Sequence, residues 1–363
     1  MKELVGPLLS PWLLAAYLVI ATGCEGAPLE MVELDGDIVS DPDVGFEEVD
    51  GRDGRDGGGP DVGGDASEPD SSWIETGDAG LDGDAALGDE PGSTYDGDAG
   101  ATAALPIDEL DELRLVINLG DSLAAGYNAD GRNGSGGHGY ARLLVSNHPD
   151  YPSYDGHSLS SLYPEVELRD LGESGATSHD ALENLRDASL PATIDGDVLV
   201  LLTCGGNDFN DDWINMALQP ATRVIAATLQ SNYREIFRIL RDRYERPALG
   251  HHVVFLVTNV HDPTGGTGSV PATFDDGFCG TIHNFPAFVT RMAINNLTIF
   301  NDAIAEVTDE LGGYLVDNHD VFLEHGMNAG ADRWIDGDCV HPTNEGHHQL
   351  RRRYWQVLTG ESL

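Results

Sequence analysis

From Pro106 onward, apolar runs of strand length alternate with longer stretches in which apolar residues recur at helical spacing. The short runs are Leu113 to Leu119, Val166 to Leu171, Val198 to Leu202, Val253 to Val257 and Tyr314 to Val316. Helices are predicted near Tyr140 to Ser146, His179 to Asp187, Trp213 to Tyr244, Phe288 to Leu311 and Asn344 to Leu358. Short buried strands alternating with helices predict a mostly parallel central sheet covered on both faces, a three-layer α/β/α sandwich of the α/β class. In such sheets reactive side chains belong at the carboxyl ends of the strands, where loops converge on the switch point.

Ahead of this region the pattern is different. Residues 1–24 carry Lys2, the apolar run Pro11 to Ala21 and then Thr22-Gly23-Cys24. About ten apolar residues fall short of the roughly 20 needed to cross a bilayer but suit the apolar core of a cleavable export signal. Ile20-Ala21-Thr22-Gly23-Cys24 resembles the lipobox of bacterial lipoproteins, which implies lipidation at Cys24; the alternative is an ordinary secretory signal with an incidental cysteine. Either way the protein is expected to be exported, as a cell-envelope lipoprotein of the outer membrane or cell surface, or secreted. Residues 25–105 are rich in Asp and Gly and poor in large apolar residues, with Arg52 and Arg55 as their only basic side chains, and are expected to be a disordered acidic tether. The folded domain is expected over residues 106–363.

Charge removes several function classes. The chain has 63 acidic residues against 19 Lys plus Arg, a formal net charge of -44, and its 106–363 part alone holds 38 acids against 16 arginines. Nucleic-acid binding is excluded, since such affinity rests on Lys and Arg releasing counterions from phosphates. Lys2 is the only lysine and falls in the export segment, so Schiff-base chemistry and a phosphate-loop lysine are excluded as well.

The candidate chemistry lies at strand ends and in the last loop. The first strand runs into Gly120-Asp121-Ser122-Leu123, where a serine at a strand-to-helix turn would expose both its hydroxyl and its backbone N–H. Taken alone, Asp121 and Ser122 read first as helix caps. Asp338-Cys339-Val340-His341 places a carboxylate three residues before an imidazole, close enough to accept its Nδ1–H and leave Nε2 as a base, although alone it reads equally as a surface pair. Leu171-Gly172-Glu173-Ser174-Gly175 follows the second strand and Gly205-Gly206-Asn207-Asp208 the third. In this order the four motifs resemble those of the GDSL, or SGNH, hydrolases over roughly residues 112 to 358. The resemblance implies a flavodoxin-like sheet order and an esterase or lipase in which Ser122 is the nucleophile, His341 the base and Asp338 its support. It also implies an oxyanion hole made by the Ser122 and Gly175 N–H groups and the Asn207 amide. No G-x-S-x-G elbow occurs, which counts against the α/β-hydrolase alternative.

No cofactor or metal is called for by this chemistry: the chain lacks H-E-x-x-H and C-x-x-C, and the adjacent pairs His251-His252 and His347-His348 are expected to be structural or exposed. If Cys24 is removed or lipidated, three cysteines remain. Cys204, ending a core strand, is the expected buried thiol, leaving Cys279 to pair with Cys339; a pairing through Cys204 is the alternative. Two long segments, Tyr127 to Tyr163 and His261 to Pro286, are expected to wall the site. The acidic domain disfavours anionic substrates, so the expected partner is a small-molecule or carbohydrate ester, with membrane contact only through a lipid anchor. Two rival readings stay open: acyl transfer to a sugar hydroxyl, and a non-catalytic surface lipoprotein that binds glycans or cations.

Overall fold

The computed structural model describes residues 105–130, 137–211, 213–274 and 277–363. The expected export segment with Cys24, and the expected acidic tether up to residue 104, lie outside the described residues. Five strands, β1 (Leu113–Gly120), β2 (Glu167–Gly172), β3 (Asp197–Thr203), β4 (Val253–Thr258) and β5 (Tyr314–Val316), pair in parallel in the order β2-β1-β3-β4-β5. The described α-helices are α1 (Tyr140–Val145), α2 (Leu159–Leu162), α3 (Ser178–Asp187), α4 (Gly206–Asp211), α5 (Trp213–Met216), α6 (Gln219–Tyr244), α7 (Gly277–His283), α8 (Ala287–Glu310), α9 (Asn318–Phe322) and α10 (Asn344–Thr359). The predicted three-layer α/β/α sandwich is the observed fold.

Side-chain alternation along the strands explains the two outer layers. Leu115, Ile117, Leu119, Val198, Val200, Leu202, Phe255 and Val257 point to one face and pack against α3, α6 and α8. Val116, Leu199, Leu201, Val254 and Leu256 point to the other and pack against α1, α9 and α10. β1, β3 and β4 are almost wholly buried, which is why their sequences read as unbroken apolar runs, whereas the edge strand β2 is mixed. Each fully buried aliphatic side chain contributes ~1.5–3 kcal/mol relative to exposure.

The long helix expected over Trp213 to Tyr244 is instead two helices. Leu218 is extended, and α6 starts with Pro220 in its first turn. Proline has no N–H to donate and is tolerated only there, so the break is written in the sequence. The short helices α4, α7 and α9, each of five to seven residues, were not anticipated; they are too short to show helical periodicity.

Register positions the site. Gly120 is level with Gly172 of β2 and Thr203 of β3, and Leu202 with Val257 of β4, so the strands end nearly together. Residues just past those ends therefore face one another along a single rim.

Candidate active site

The turn after β1 is held from three sides. The Asp121 N–H donates to the Thr203 carbonyl at 2.9 Å, the Glu173 N–H donates to the Gly120 carbonyl at 3.0 Å, and the buried Asn118 amide donates to the Ala124 carbonyl at 2.8 Å. Gly120 has φ +150°, and a Cβ there would lie 1.9 Å from the Thr203 carbonyl oxygen, so only glycine fits between β1 and β3. The helix expected to begin at Ser122 does not form; residues 122–130 are a run of tight turns. The turn is capped by Asp121, whose Oδ1 accepts the Leu123 N–H at 2.9 Å, and the Ser122 hydroxyl is left for another partner.

That partner is His341. Its Nε2 is 2.8 Å from Ser122 Oγ, and its Nδ1 is 2.7 Å from Asp338 Oδ2. Asp338 Oδ1 accepts the N–H groups of Val340 and His341, both at 3.0 Å, which folds the Asp-x-x-His turn on itself. Burial works against the Asp338 charge, but the His341 imidazole and these two N–H groups hold its carboxyl down to about 2. The residues 122, 338 and 341 singled out from sequence thus form one continuous hydroxyl–imidazole–carboxylate chain.

Candidate donors lie just past the ends of β1, β2 and β3. The N–H groups of Ser122 and Gly175 have no protein acceptor among the described residues. Gly175 has φ +88°, a left-handed conformation that favours glycine and leaves its N–H exposed beyond β2. The Asn207 amide gives one N–H to the Ala176 carbonyl at 2.9 Å and keeps a second free. Asn207 lies in the short helix α4 and lines the same cavity as Ser122.

Three supporting residues were not found from sequence. The Tyr127 ring lies 4.2 Å from the His341 ring, and Asn128, left-handed at φ 65°, donates from its amide to Asp338 Oδ2 at 3.2 Å. His261 donates from Nε2 to the Val340 carbonyl at 2.8 Å, bracing the triad turn from below. Burial lowers its pKa to about 4, so it is neutral near pH 7 and donates as an ordinary imidazole N–H. Nothing in the local sequence marks these positions, since the contacts span dozens to hundreds of residues. Of the two long segments expected to wall the site, the second contributes His261, Pro263 and Phe278 to the cavity. Among the described residues the first lines none of it and instead supplies Tyr127 and Asn128 against the imidazole and carboxylate.

The remaining predicted positions fall as follows. Cys279 and Cys339 form a disulfide with Cα atoms 5.2 Å apart, joining α7 to the turn that carries Asp338 and His341. Cys204 is a free, buried thiol, so the pairing through Cys204 is not the one formed. His347 is fully buried and donates from Nε2 to the Tyr127 carbonyl at 2.9 Å; His348 is buried and stacks on Tyr151 with ring centroids 3.9 Å apart. Burial lowers the pKa of both to about 4, which fits structural roles.

Residues 119–349 match the model of the GDSL-like lipase/acylhydrolase family. The chain belongs to this family. It is therefore a carboxylic ester hydrolase by class, and the matched span takes in the serine turn, the glycine and asparagine donors and the Asp-x-x-His turn. Several solved structures are similar to this GDSL chain. The extracellular lipase of Streptomyces rimosus is 19% identical, with 68% of this chain and 98% of that one covered and a TM-score of 0.46. Phospholipase A1 of Streptomyces albidoflavus is also 19% identical, covering 68% and 99% with a TM-score of 0.44. An acetylxylan esterase of Geobacillus stearothermophilus is 16% identical, covering 70% and 98% with a TM-score of 0.44. No curated protein matches the sequence.

Proposed function

We propose that this GDSL hydrolase is an exported serine esterase that cleaves short-chain acyl esters through an acyl-enzyme on Ser122. His341 removes the hydroxyl proton as Ser122 Oγ attacks the ester carbonyl, and Asp338 holds the imidazole tautomer and stabilises the imidazolium. The Ser122 and Gly175 N–H groups and the free N–H of Asn207 receive the developing oxyanion. His341 then returns the proton to the departing alcohol. Water, activated by the same imidazole, cleaves the acyl-enzyme.

The observation that carries this proposal is the unbroken hydrogen-bonded chain from Ser122 Oγ through His341 to Asp338, at 2.8 and 2.7 Å, opening onto a cavity. That cavity has a volume of about 50 Å3 and is walled mainly by apolar groups, among them Phe209, Val260, Ile294 and Leu297. A single water needs roughly 10–15 Å3 on this scale, so the space is small and suits a short acyl group. The strongly negative domain disfavours the approach of anionic substrates, so neutral esters, O-acetylated sugars among them, are the substrates of choice. Export, with or without lipidation at Cys24, rests on the sequence of residues 1–24 and would put the domain outside the cytoplasm behind an acidic spacer.

The test is a series of nitrophenyl esters with the wild type and Ser122→Ala. Turnover should be highest for acetate to butyrate, fall for octanoate and vanish in the variant, with fluorophosphonate labelling lost in parallel. Labelling that persists in Ser122→Ala would remove the nucleophile assignment. A rate that climbs with chain length would remove the acyl-size assignment. Product analysis with an added sugar acceptor separates hydrolysis from acyl transfer.

A further inference from the structure

A second group of chemically active side chains lies away from Ser122, at the two ends of α1. His138 stands just ahead of the helix, and His148 and Asp150 lie just after it. Their ligand atoms all fall within 4.8 Å of one another. His138 Nε2 is 3.0 Å from Asp150 Oδ2, and His148 Nδ1 is 3.6 Å from the same oxygen. The two imidazole rings lie with centroids 3.9 Å apart. Two imidazole nitrogens thus converge on one carboxylate oxygen, a set of two nitrogen donors and one oxygen donor.

We propose that His138, His148 and Asp150 bind one divalent transition-metal ion, zinc above all, and that this ion clamps the loop behind the active site. Ligands bound tetrahedrally at about 2.0–2.1 Å stand roughly 3.3 Å apart, a value bracketed by the two separations above. Two nitrogen donors with one carboxylate favour zinc and its neighbours over calcium or magnesium, which take oxygen. His138 is 7% exposed, and its Nδ1 is buried, makes no regular hydrogen bond and lies in contact with the Asp130 carboxylate. That contact is the arrangement in which a metal-bound histidine is oriented by an outer carboxylate through its second ring nitrogen. His148 and Asp150 are increasingly exposed, which leaves an entry path and a fourth position for water.

Asp130 links the cluster to the site without joining it. Its side chain also accepts the His138 backbone N–H at 3.2 Å, and its own N–H donates to Asn344 Oδ1 at 2.9 Å, at the start of α10. Two residues earlier, Asn128 reaches Asp338. An ion drawing His138 and Asp150 together would therefore fix the segment that buttresses the carboxylate while touching none of the reacting groups.

The test uses the full chain, stripped with chelator, and compares it with His148→Ala/Asp150→Ala and, as a shape-conserving variant, Asp150→Asn. Zinc content after dialysis, melting temperature with and without zinc, and the visible spectrum of the cobalt-substituted chain are measured. The wild type should retain one zinc ion, melt higher with it and show four-coordinate cobalt bands. The double variant should bind at least 100-fold more weakly, show neither effect and melt like the stripped wild type without metal. The acidic residues 25–105 are common to all three chains, so weak cation binding by them cancels. Equal zinc content and equal melting shifts in wild type and double variant would overturn the proposal, as would a preference for calcium over zinc.

Discussion

Asp121 stands beside the reacting serine and is 4% exposed; its carboxyl accepts the Leu123 N–H and is faced by the Ala124 N–H as well. Burial, with the nearby Asp208 charge adding to it, pushes its pKa up from 3.8 to about 7. The folded state thus holds this proton at pH values where the unfolded chain has released it. Its contribution to stability is complete below about pH 4 and is lost as pH rises towards 7, with a slope of ~1.36 kcal/mol per pH unit. The span from 3.8 to about 7 is worth ~4 kcal/mol. Asp121→Asn keeps the shape and the acceptor for Leu123 but cannot ionise. Relative to the wild type, the variant should therefore gain stability steadily between pH 4 and 7, by ~4 kcal/mol in all, and the difference should be flat above that range. Urea unfolding at pH 4, 5.5, 7 and 8.5 measures it. The general pH dependence of so acidic a chain is shared by both proteins and drops out of the comparison. A difference that stays constant from pH 4 to 8 would refute the assignment of a buried, proton-holding Asp121.

Two further outcomes follow from the geometry. Asn207→Ala removes one oxyanion donor and should lower kcat by about 100- to 1000-fold with little change in KM, as measured by steady-state kinetics on nitrophenyl acetate; an unchanged kcat would exclude Asn207 from the oxyanion hole. Replacing Cys279 and Cys339 together by Ala opens a loop of 60 residues and should cost ~4 kcal/mol through the unfolded chain, seen as a lower urea midpoint, whereas an unchanged midpoint would show that the bond constrains nothing.

The strands were legible because β1, β3 and β4 are buried on both faces and so carry almost no polar residues; their predicted and observed limits differ by at most a residue or so at either end. α6 and α8 are long enough to show their period, while α4, α7 and α9 are too short for it. Ser122, Asp338 and His341 were legible through the resemblance to the GDSL hydrolases, whose motifs occur here in order; by itself the serine turn reads as a helix cap and the Asp-x-x-His stretch equally as a surface pair. Tyr127, Asn128 and His261 were not, because each acts through a partner distant in sequence: Asn128 and Asp338 are 210 residues apart. The His138, His148 and Asp150 group escaped for a related reason. Its members sit on opposite sides of a six-residue helix, and no fixed spacing reports that the chain turns back after Val145.

The site contains two carboxylates near the imidazole, and their environments decide which supports it. Asp121 is next to Ser122 in sequence, yet it is almost wholly buried, with only the Leu123 and Ala124 N–H groups facing it, and loses its charge near neutral pH. Asp338 is partly open, accepts two backbone N–H groups and the Asn128 amide, and stays ionised down to about 2. An imidazolium formed during the reaction needs a partner whose charge is already in place, because recruiting it at that moment would add the cost of deprotonation to the barrier. Only Asp338 meets that condition across the neutral range, and it is also the one within hydrogen-bonding distance of Nδ1. The fold separates the two acids by burying Asp121 almost completely and leaving Asp338 partly open against the His341 imidazole and the Asn128 amide, so their pKa values diverge although both sit within one rim of the sheet.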